Sequence, residues 1–422
     1  MRARSGLGKK INLEKTTLTQ SPQNNGSILP VPMSSPDLSD AERQAVAAVL
    51  NTPNLSMGQE IQTFEAAFQA FTGWRHAIAV NSGTAGLHLC IRAAGVGVND
   101  GQAGDLVITT PFSFVASANV ILFEQGVPVF VDVDPITGNI DPVQAAQAIQ
   151  DLSAGGSAAR RWLPRKGWQA GASLKALLPV DVFGQPADMD SLVQIAHQYG
   201  LKVIEDSCEA LGATYKNRPA GTLGDMRVFA FYPNKQITTG EGGIIVTDDP
   251  QAAAYMRALR NQGRAPGDTW LDHTYLGYNY RLDEMSAALG HIQMGRLEGF
   301  ITQRQKVAEW YSERLSEIPG IETPQVVSTT TRMSWFVYVI RFAQGIDRDG
   351  IARRLHAMGI PARPYFVPIH LQPYMVDRFG YRAEDFPVTA DLGRRSLAVP
   401  FSSVMSEAQV EHVCLALHKA LT

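Results

Sequence analysis

Two charged residues stand at the ends of apolar runs. Asp206 closes Val203-Ile204-Glu205-Asp206, and Lys235 follows Val228-Phe229-Ala230-Phe231-Tyr232 by way of Pro233 and Asn234. A glycine-rich stretch around Gly240, Gly242 and Gly243 then leads into a third apolar run, Ile244-Ile245-Val246. A carboxylate and a primary amine at the ends of neighbouring strands are the pair that pyridoxal phosphate chemistry requires. The amine forms a Schiff base with the aldehyde, and the acid keeps the pyridine nitrogen protonated. Alone, Asp206 is an ordinary end-of-strand acid and Lys235 an ordinary surface lysine.

A third group joins them. Asn81-Ser82-Gly83-Thr84-Ala85-Gly86 follows an apolar run at 76–80 and opens a helical pattern. Small residues there let backbone N–H groups approach an anion, and the helix N-terminus adds positive potential. Gly83 and Thr84 are therefore candidates to cradle a phosphate. The same residue types also serve as plain helix caps, so it is the joint occurrence of Thr84, Asp206 and Lys235 that is specific. Phe114, just past the run ending near Thr110, offers a flat face for a heteroaromatic ring, although an isolated phenylalanine is more often core. Gly95-Val96-Gly97 follows a helix and lacks a third glycine, so it gives no dinucleotide-binding signal.

The elements that must position these groups alternate. Apolar, mostly β-branched runs occur at 76–80, 106–110, 127–132, 176–182, 202–206, 227–232 and 243–248, with helical segments such as 84–94 and 188–199 between most of them. This pattern predicts an α/β fold with a mostly parallel seven-stranded sheet flanked by helices. The last two runs lie close together across a glycine-rich turn, which suits one antiparallel strand. Ser39 and Glu42 form a capping box, and Ile61, Phe64, Phe68 and Phe71 recur at helical spacing up to Gly73. Later, a charged helix from Gln303 to Ile318, a strand over 335–340, a helix at 348–358 and a last helix capped by Ser406 and Gln409 predict a smaller C-terminal α+β domain. The expected division is a flexible arm over 1–35, a large domain over 36–299 and a small domain over 300–422. Residues 152–174, where basic residues alternate with Trp162 and Trp168, read as a surface insertion on the side away from ligands.

Composition narrows the class. An apolar fraction of 45% and a net charge of -3 describe a soluble globular protein with no attraction for nucleic acid. Cys90, Cys208 and Cys414 are scattered, so neither a disulfide framework nor a metal site is expected. No apolar run reaches membrane-spanning length, and the basic N-terminus lacks a following apolar stretch, so a cytoplasmic location is expected.

From about residue 36 onward the chain resembles the DegT/StrS family of sugar aminotransferases, of the aspartate-aminotransferase fold (fold type I). The matching stretches include N-S-G-T-A-G-L-H-L, P-F-S-F-V-A-S, I-E-D-S-C-E-A-L-G-A, F-Y-P-N-K-Q-I-T-T-G-E-G-G, L-G-Y-N-Y-R-L-D-E and G-I-P-A-R-P-Y-F-V-P-I-H. The resemblance implies pyridoxal 5'-phosphate as cofactor, with Lys235 as Schiff-base lysine and Asp206 as partner of the pyridine nitrogen. It implies that Gly83 and Thr84 bind the phosphate, that Phe114 stacks on the ring, and that Asn279 reaches the phosphate of a neighbouring subunit. That last role implies a homodimer with shared active sites. The implied reaction moves an amino group, with glutamate as donor, to a keto sugar, most simply a nucleotide-linked 3- or 4-keto-deoxysugar. The alternatives are a keto-cyclitol substrate, or a regulatory protein that binds the cofactor without turnover. Two positions depart from the family pattern. Ala230 stands where a serine often touches the phosphate. Glu209 stands where many members have a glutamine on the ring hydroxyl, and a carboxylate there repels a phenolate unless it is protonated. The S-C-E segment is similar to a dehydratase branch that replaces the lysine with histidine; Lys235 favours transamination.

Overall fold

The structure is a computed structural model, described here for residues 30–97, 104–269 and 271–422. Seven strands build its main sheet: β1 (His76–Val80), β2 (Leu106–Thr109), β3 (Val127–Phe130), β4 (Leu174–Leu178), β5 (Lys202–Asp206), β6 (Met226–Ala230) and β7 (Gly243–Thr247). Their spatial order is β1-β7-β6-β5-β4-β2-β3. β7 pairs antiparallel with both β1 and β6, and the remaining pairings are parallel. All seven apolar runs thus become strands of an α/β fold, with one reversed.

The strands bury both faces, and the two-residue period of a pleated strand divides their side chains between two layers. On β1, Ile78 and Val80 point to one cluster while Ala77 and Ala79 point to another. On β6, Met226 and Val228 take the first face and Phe229 the second. The second face is covered by the helix Gln59–Thr72, whose Phe64 and Phe68 are fully buried against it.

Four helices matter for the site: α1 (Asp40–Leu50), α2 (Gln59–Thr72), α3 (Gly83–Ala93) and α4 (Ala116–Phe123). The Ser39/Glu42 capping box opens α1, and Gly73, at φ 76°, ends α2 in the left-handed conformation that glycine tolerates. Two more helices complete the frame: α5 (Pro250–Arg260) and α6 (Glu284–Leu315). The sequence predicted a helix only over 303–318. The helix instead starts at Glu284, with the Asp283 side chain accepting from the Ser286 N–H at 2.9 Å. Gly290, Gly295 and Gly299 hid its first half. Gly290 is not a stop: a Cβ there would lie 2.7 Å from Thr239 Cγ2 and 2.8 Å from Phe64 Cζ, so glycine lets α6 sit directly on α2. The domain boundary expected between 299 and 300 falls inside this one helix.

Beyond α6, four antiparallel strands, Ile321–Glu322, Tyr338–Phe342, Ser396–Val399 and Arg363–Pro364, form a second sheet. The strand expected over 335–340 begins later, because Ser334 and Phe336 donate to Gly184 and Phe183 carbonyls instead of to a sheet neighbour. The last helix, Glu407–Leu421, carries the expected cap at Ser406 and Gln409 and buries Val410, Val413, Cys414 and Leu417.

Of the expected arm over 1–35, residues 1–29 lie outside the described residues. Residues from 30 onward are docked: Val31 is buried, and the Met33 and Pro30 carbonyls accept from Phe401 N and Gln409 Nε2. The 152–174 segment lines no part of the cleft described below, but it is more than a surface excursion. Arg165 pairs with Asp385, Lys166 N donates to the Phe379 carbonyl, and Trp162 Nε1 donates to Asp151 at 2.7 Å.

Candidate active site

A cleft of about 670 Å³ opens at the C-terminal ends of β1, β2, β5 and β6, where ligands bind in open α/β sheets. One wall is the first turn of α3. Ser82 caps it, accepting from the Ala85 N–H at 3.1 Å, and Gly83 and Thr84 line the cleft. A Cβ at Gly83 would meet the Ala230 Cβ at 2.7 Å, so glycine lets this helix end seat tightly against β6. The first N–H groups of a helix have no intrahelical acceptor, so this turn is built to receive an anion.

Asp206 forms part of the floor. It is 5% exposed, and its Oδ2 accepts from Ser117 Oγ at 2.8 Å while Oδ1 accepts from the Cys208 N–H at 3.2 Å. Ser117 sits on α4, so the helix following Phe114 also orients the acid. Phe114 lines the same cleft and is 64% exposed, which is unusual for a phenylalanine and leaves a flat apolar surface open to a ring.

Lys235 follows β6 and lines the cleft near its floor. Its Nζ lies 3.7 Å from Glu209 Oε1 and 3.8 Å from the centroid of the Phe336 ring. Glu209 Oε2 accepts from the Phe183 N–H at 2.9 Å. Burial pushes the Glu209 carboxyl above the usual carboxylate range, and the attraction of Lys235 only partly opposes this. The backbone of Lys235 is held from α6. Arg304, 2% exposed, donates to the Lys235 carbonyl at 2.7 Å and to the Trp335 carbonyl at 3.0 Å. Burial lowers this guanidinium to about 10, and backbone carbonyls are its hydrogen-bond acceptors.

The cleft therefore brings together Gly83, Thr84, Phe114, Asp206, Glu209 and Lys235. It does not include Asn279. That side chain is exposed on the segment beside the end of β1, where Asn81 Nδ2 donates to the Asn279 carbonyl at 3.3 Å. Sequence reasoning missed Ser117, Tyr232, Arg363 and Tyr365, all of which line the cleft. Arg363 and Tyr365 lie in the quoted stretch G-I-P-A-R-P-Y-F-V-P-I-H, so their presence was signalled but their placement opposite β5 and β6 was not. Cys208 also lines the cleft; burial pushes its thiol far up, which removes it as a thiolate nucleophile. Among the described residues no cluster of His, Cys, Asp and Glu suits a metal ion, and no helix is long and apolar enough to cross a membrane.

An anion-receiving helix end, an exposed aromatic face, a buried oriented carboxylate and a primary amine on one cavity form the donor set that pyridoxal phosphate needs. Comparison with known proteins agrees. The sequence profile of the DegT/DnrJ/EryC1/StrS aminotransferase family matches residues 36–418. The chain belongs to this family. It is 35% identical over 394 residues to GDP-perosamine synthase of Caulobacter vibrioides, covering 93% of this chain and 98% of that protein. Among solved structures it is similar to DesV of S. venezuelae, at 30% identity and a TM-score of 0.79, covering 93% of this chain and 98% of that one. It also resembles Helicobacter pylori PseC, an aminotransferase of pseudoaminic acid biosynthesis, at 26% identity and a TM-score of 0.82, covering 93% and 99%. The fold is the fold type I aminotransferase architecture, and this DegT-family chain is a pyridoxal-phosphate-dependent aminotransferase.

Proposed function

We propose that this aminotransferase transfers an amino group from L-glutamate to the ketone of a nucleotide-linked sugar, a 3- or 4-keto-deoxysugar. The observation that carries the reading is the convergence of Lys235, Asp206, Phe114 and the α3 N-terminus on one cleft. The names of the similar proteins, GDP-perosamine synthase above all, support a keto sugar and a nucleotide carrier.

Bound in this cleft, pyridoxal phosphate supplies an aldehyde for an amine and a ring that draws electrons from a substrate carbon. Gly83 and Thr84 would hold its phosphate at the α3 N-terminus, and Asn279 of a second copy in a homodimer would complete that cradle. Phe114 would stack on the ring. Asp206, fixed by Ser117 and the Cys208 N–H, would keep a proton on the ring nitrogen. Lys235 would hold the aldehyde carbon through Nζ, and its free amine would hold and move the proton at the donor Cα and, in the reverse sense, at the sugar carbon. Arg304 holds the lysine's backbone so that Nζ returns to the same place. Glu209 would face the ring hydroxyl. Its raised proton affinity supports a protonated carboxyl that donates a hydrogen bond there instead of repelling it.

The test is to convert the holoenzyme to its amine form with L-glutamate, and then to offer GDP- and UDP-linked 3- and 4-keto sugars alongside a keto-cyclitol. Amination of a nucleotide-linked sugar is expected. Amination of the cyclitol alone would overturn the substrate assignment.

A further inference from the structure

Asn279 stands between two tyrosines whose hydroxyls end in one polar cluster. His88 and Arg92 lie four residues apart on α3, and Glu124 follows the last turn of α4. Glu124 Oε1 accepts from the Tyr278 hydroxyl at 2.9 Å and lies 2.7 Å from His88 Nε2. Its Oε2 accepts from Arg92 Nη1 at 2.7 Å. His88 Nδ1 lies 3.0 Å from the Tyr280 hydroxyl. Arg92 Nη2 also donates to the hydroxyl of Tyr255, on α5, at 3.3 Å.

The protons of this cluster run in one direction. Burial holds His88 below its ordinary value, although Glu124 opposes the shift, so the imidazole is neutral at neutral pH. Burial would raise the Glu124 carboxyl, but hydrogen bonds from Arg92, His88 and Tyr278 outweigh it and keep the group ionised. A neutral imidazole has one N–H and one acceptor nitrogen. Nε2 faces the carboxylate and therefore carries the proton, which leaves Nδ1 to accept from the Tyr280 hydroxyl. Both tyrosine hydroxyls thus donate, Tyr278 to Glu124 and Tyr280 to a ring that Glu124 orients.

This fixes which way Asn279 points. Antiparallel bridges join Asn279 to Asn261 and Arg281 to Val80, so the segment runs as a short strand. Alternate side chains of a strand point to opposite sides. Tyr278 and Tyr280 share one side, where their rings stack with centroids 4.9 Å apart and 9° between planes. The His88 ring packs against both. Asn279 faces the other way and is exposed. Backbone bonds also hold the segment: Tyr278 N donates to the Leu259 carbonyl at 2.7 Å, Tyr280 N to the Arg260 carbonyl at 3.1 Å, and Asn81 N to the Tyr280 carbonyl at 2.9 Å. Such bonds are blind to side-chain type, and a slip by one residue would turn Asn279 inward. The hydroxyl partners supplied by Glu124 and His88 select against that slip.

We propose that Glu124, through His88, Tyr278 and Tyr280, is a positioning residue that holds Asn279 outward, towards the cofactor phosphate of the partner subunit. This rests on the cross-subunit role of Asn279 proposed above. α3 then serves both sites of the dimer. Its first turn faces the cleft of its own subunit, and His88, one turn further on, fixes the residue offered to the other.

Two measurements on the dimeric enzyme test this: the dissociation constant of pyridoxal phosphate by equilibrium dialysis, and subunit mixing assayed at limiting cofactor. Glu124→Ala and Asn279→Ala are each expected to weaken cofactor binding about tenfold, the order of one hydrogen bond to a charged group, and the double variant no more than either alone. Mixing Glu124→Ala with Lys235→Ala subunits is expected to raise activity towards about half of wild type per heterodimer. The site that keeps Lys235 then receives its Asn279 from a subunit with Glu124 intact. A merely structural Glu124 would damage the α3 cradle of its own subunit, and mixing would yield no more than the average of the parents. Tyr278→Phe/Tyr280→Phe keeps the stacked rings and removes only the hydroxyls; it is expected to follow the same pattern and serves if Glu124→Ala does not fold. Wild-type cofactor affinity in the folded variants overturns the proposal, as do losses that multiply when Asn279→Ala is added. Complementation by Asn279→Ala but not by the cluster variants overturns it too, and leaves the cross-subunit role of Asn279 standing. Failure of Asn279→Ala itself to complement overturns both.

Discussion

Glu209 and Lys235 face each other in the cleft, with the carboxylate Oε1 3.7 Å from the lysine Nζ. The pair is buried enough that desolvation outweighs the attraction, so the Glu209 carboxyl titrates above its ordinary range. The sign for stability follows. A carboxyl whose folded-state proton affinity is raised favours the fold when protonated, and that contribution is lost as pH rises from the unfolded value through the folded one. Glu209→Gln should therefore raise Tm at about pH 8, and the gain should shrink as pH falls towards about 4.5. Thermal melts across that range check this. A lower Tm for the variant at alkaline pH would mean that the Lys235 pairing outweighs burial.

Glu42 behaves in the opposite way. It is buried at the start of α1 and accepts from the Ser39 N–H at 2.7 Å, Gln293 Nε2 at 2.7 Å and Arg296 Nη1 at 2.5 Å. Burial alone would raise its proton affinity; the hydrogen bonds win and hold it at about 2, from 4.5. It thus stabilises the fold above about pH 4.5, by roughly 3 kcal/mol, and that contribution fades as pH falls towards 2. Glu42→Gln should lower stability at neutral pH and flatten the acid limb of the stability profile. Denaturant titrations at several pH values measure both, and an unchanged acid limb would contradict the assignment.

Much of this was legible in the sequence, for physical reasons. The seven strands announced themselves because each buries two faces and so reads as a continuous apolar run. Asp206 and Lys235, each ordinary alone, were visible because they occur together with Thr84 at the ends of such runs. The long helix α6 was hidden because Gly290 serves close packing against Phe64, and a glycine chosen for contact looks the same in a sequence as one chosen for a turn. Ser117 was hidden because its role depends on the start of α4 meeting Asp206 at the end of β5, a contact across many residues that no local pattern encodes. The docking of residues 30–35 was missed because a polar, proline-containing segment offers no periodicity, although Val31 is buried.

Asp206→Asn should keep the shape of the cleft, since an amide oxygen can still accept from Ser117 or the Cys208 N–H. In the proposed role of Asp206, it removes the charge that would hold the proton on the cofactor ring nitrogen. Turnover should fall on the order of a hundredfold or more, with a modest change in cofactor affinity. Steady-state kinetics with equilibrium dialysis of the cofactor measure both. Turnover near that of wild type would show that another group serves the ring nitrogen.

Asn279 tests the shared site. Its neighbours Tyr278 and Tyr280 are anchored to Glu124 at 2.9 Å and His88 at 3.0 Å, while its own side chain is exposed, so Asn279→Ala should fold. Mixing inactive Lys235→Ala subunits with impaired Asn279→Ala subunits creates heterodimers in which one site carries both lesions and the other neither. Activity should rise towards about half of wild type per heterodimer, as the proposed cross-subunit geometry requires. If each dimeric variant is impaired and mixing yields no more than the average of the two, Asn279 acts within its own subunit.

Lys235 is the proposed carrier of the cofactor. Borohydride reduction of the holoenzyme, followed by proteolysis and mass mapping, locates the modified side chain directly. The expected result is a single cofactor-modified peptide spanning Lys235, and none from Lys235→Ala. A modified peptide from any other lysine, with Lys235 recovered unmodified, would contradict the assignment of this cleft as the active site.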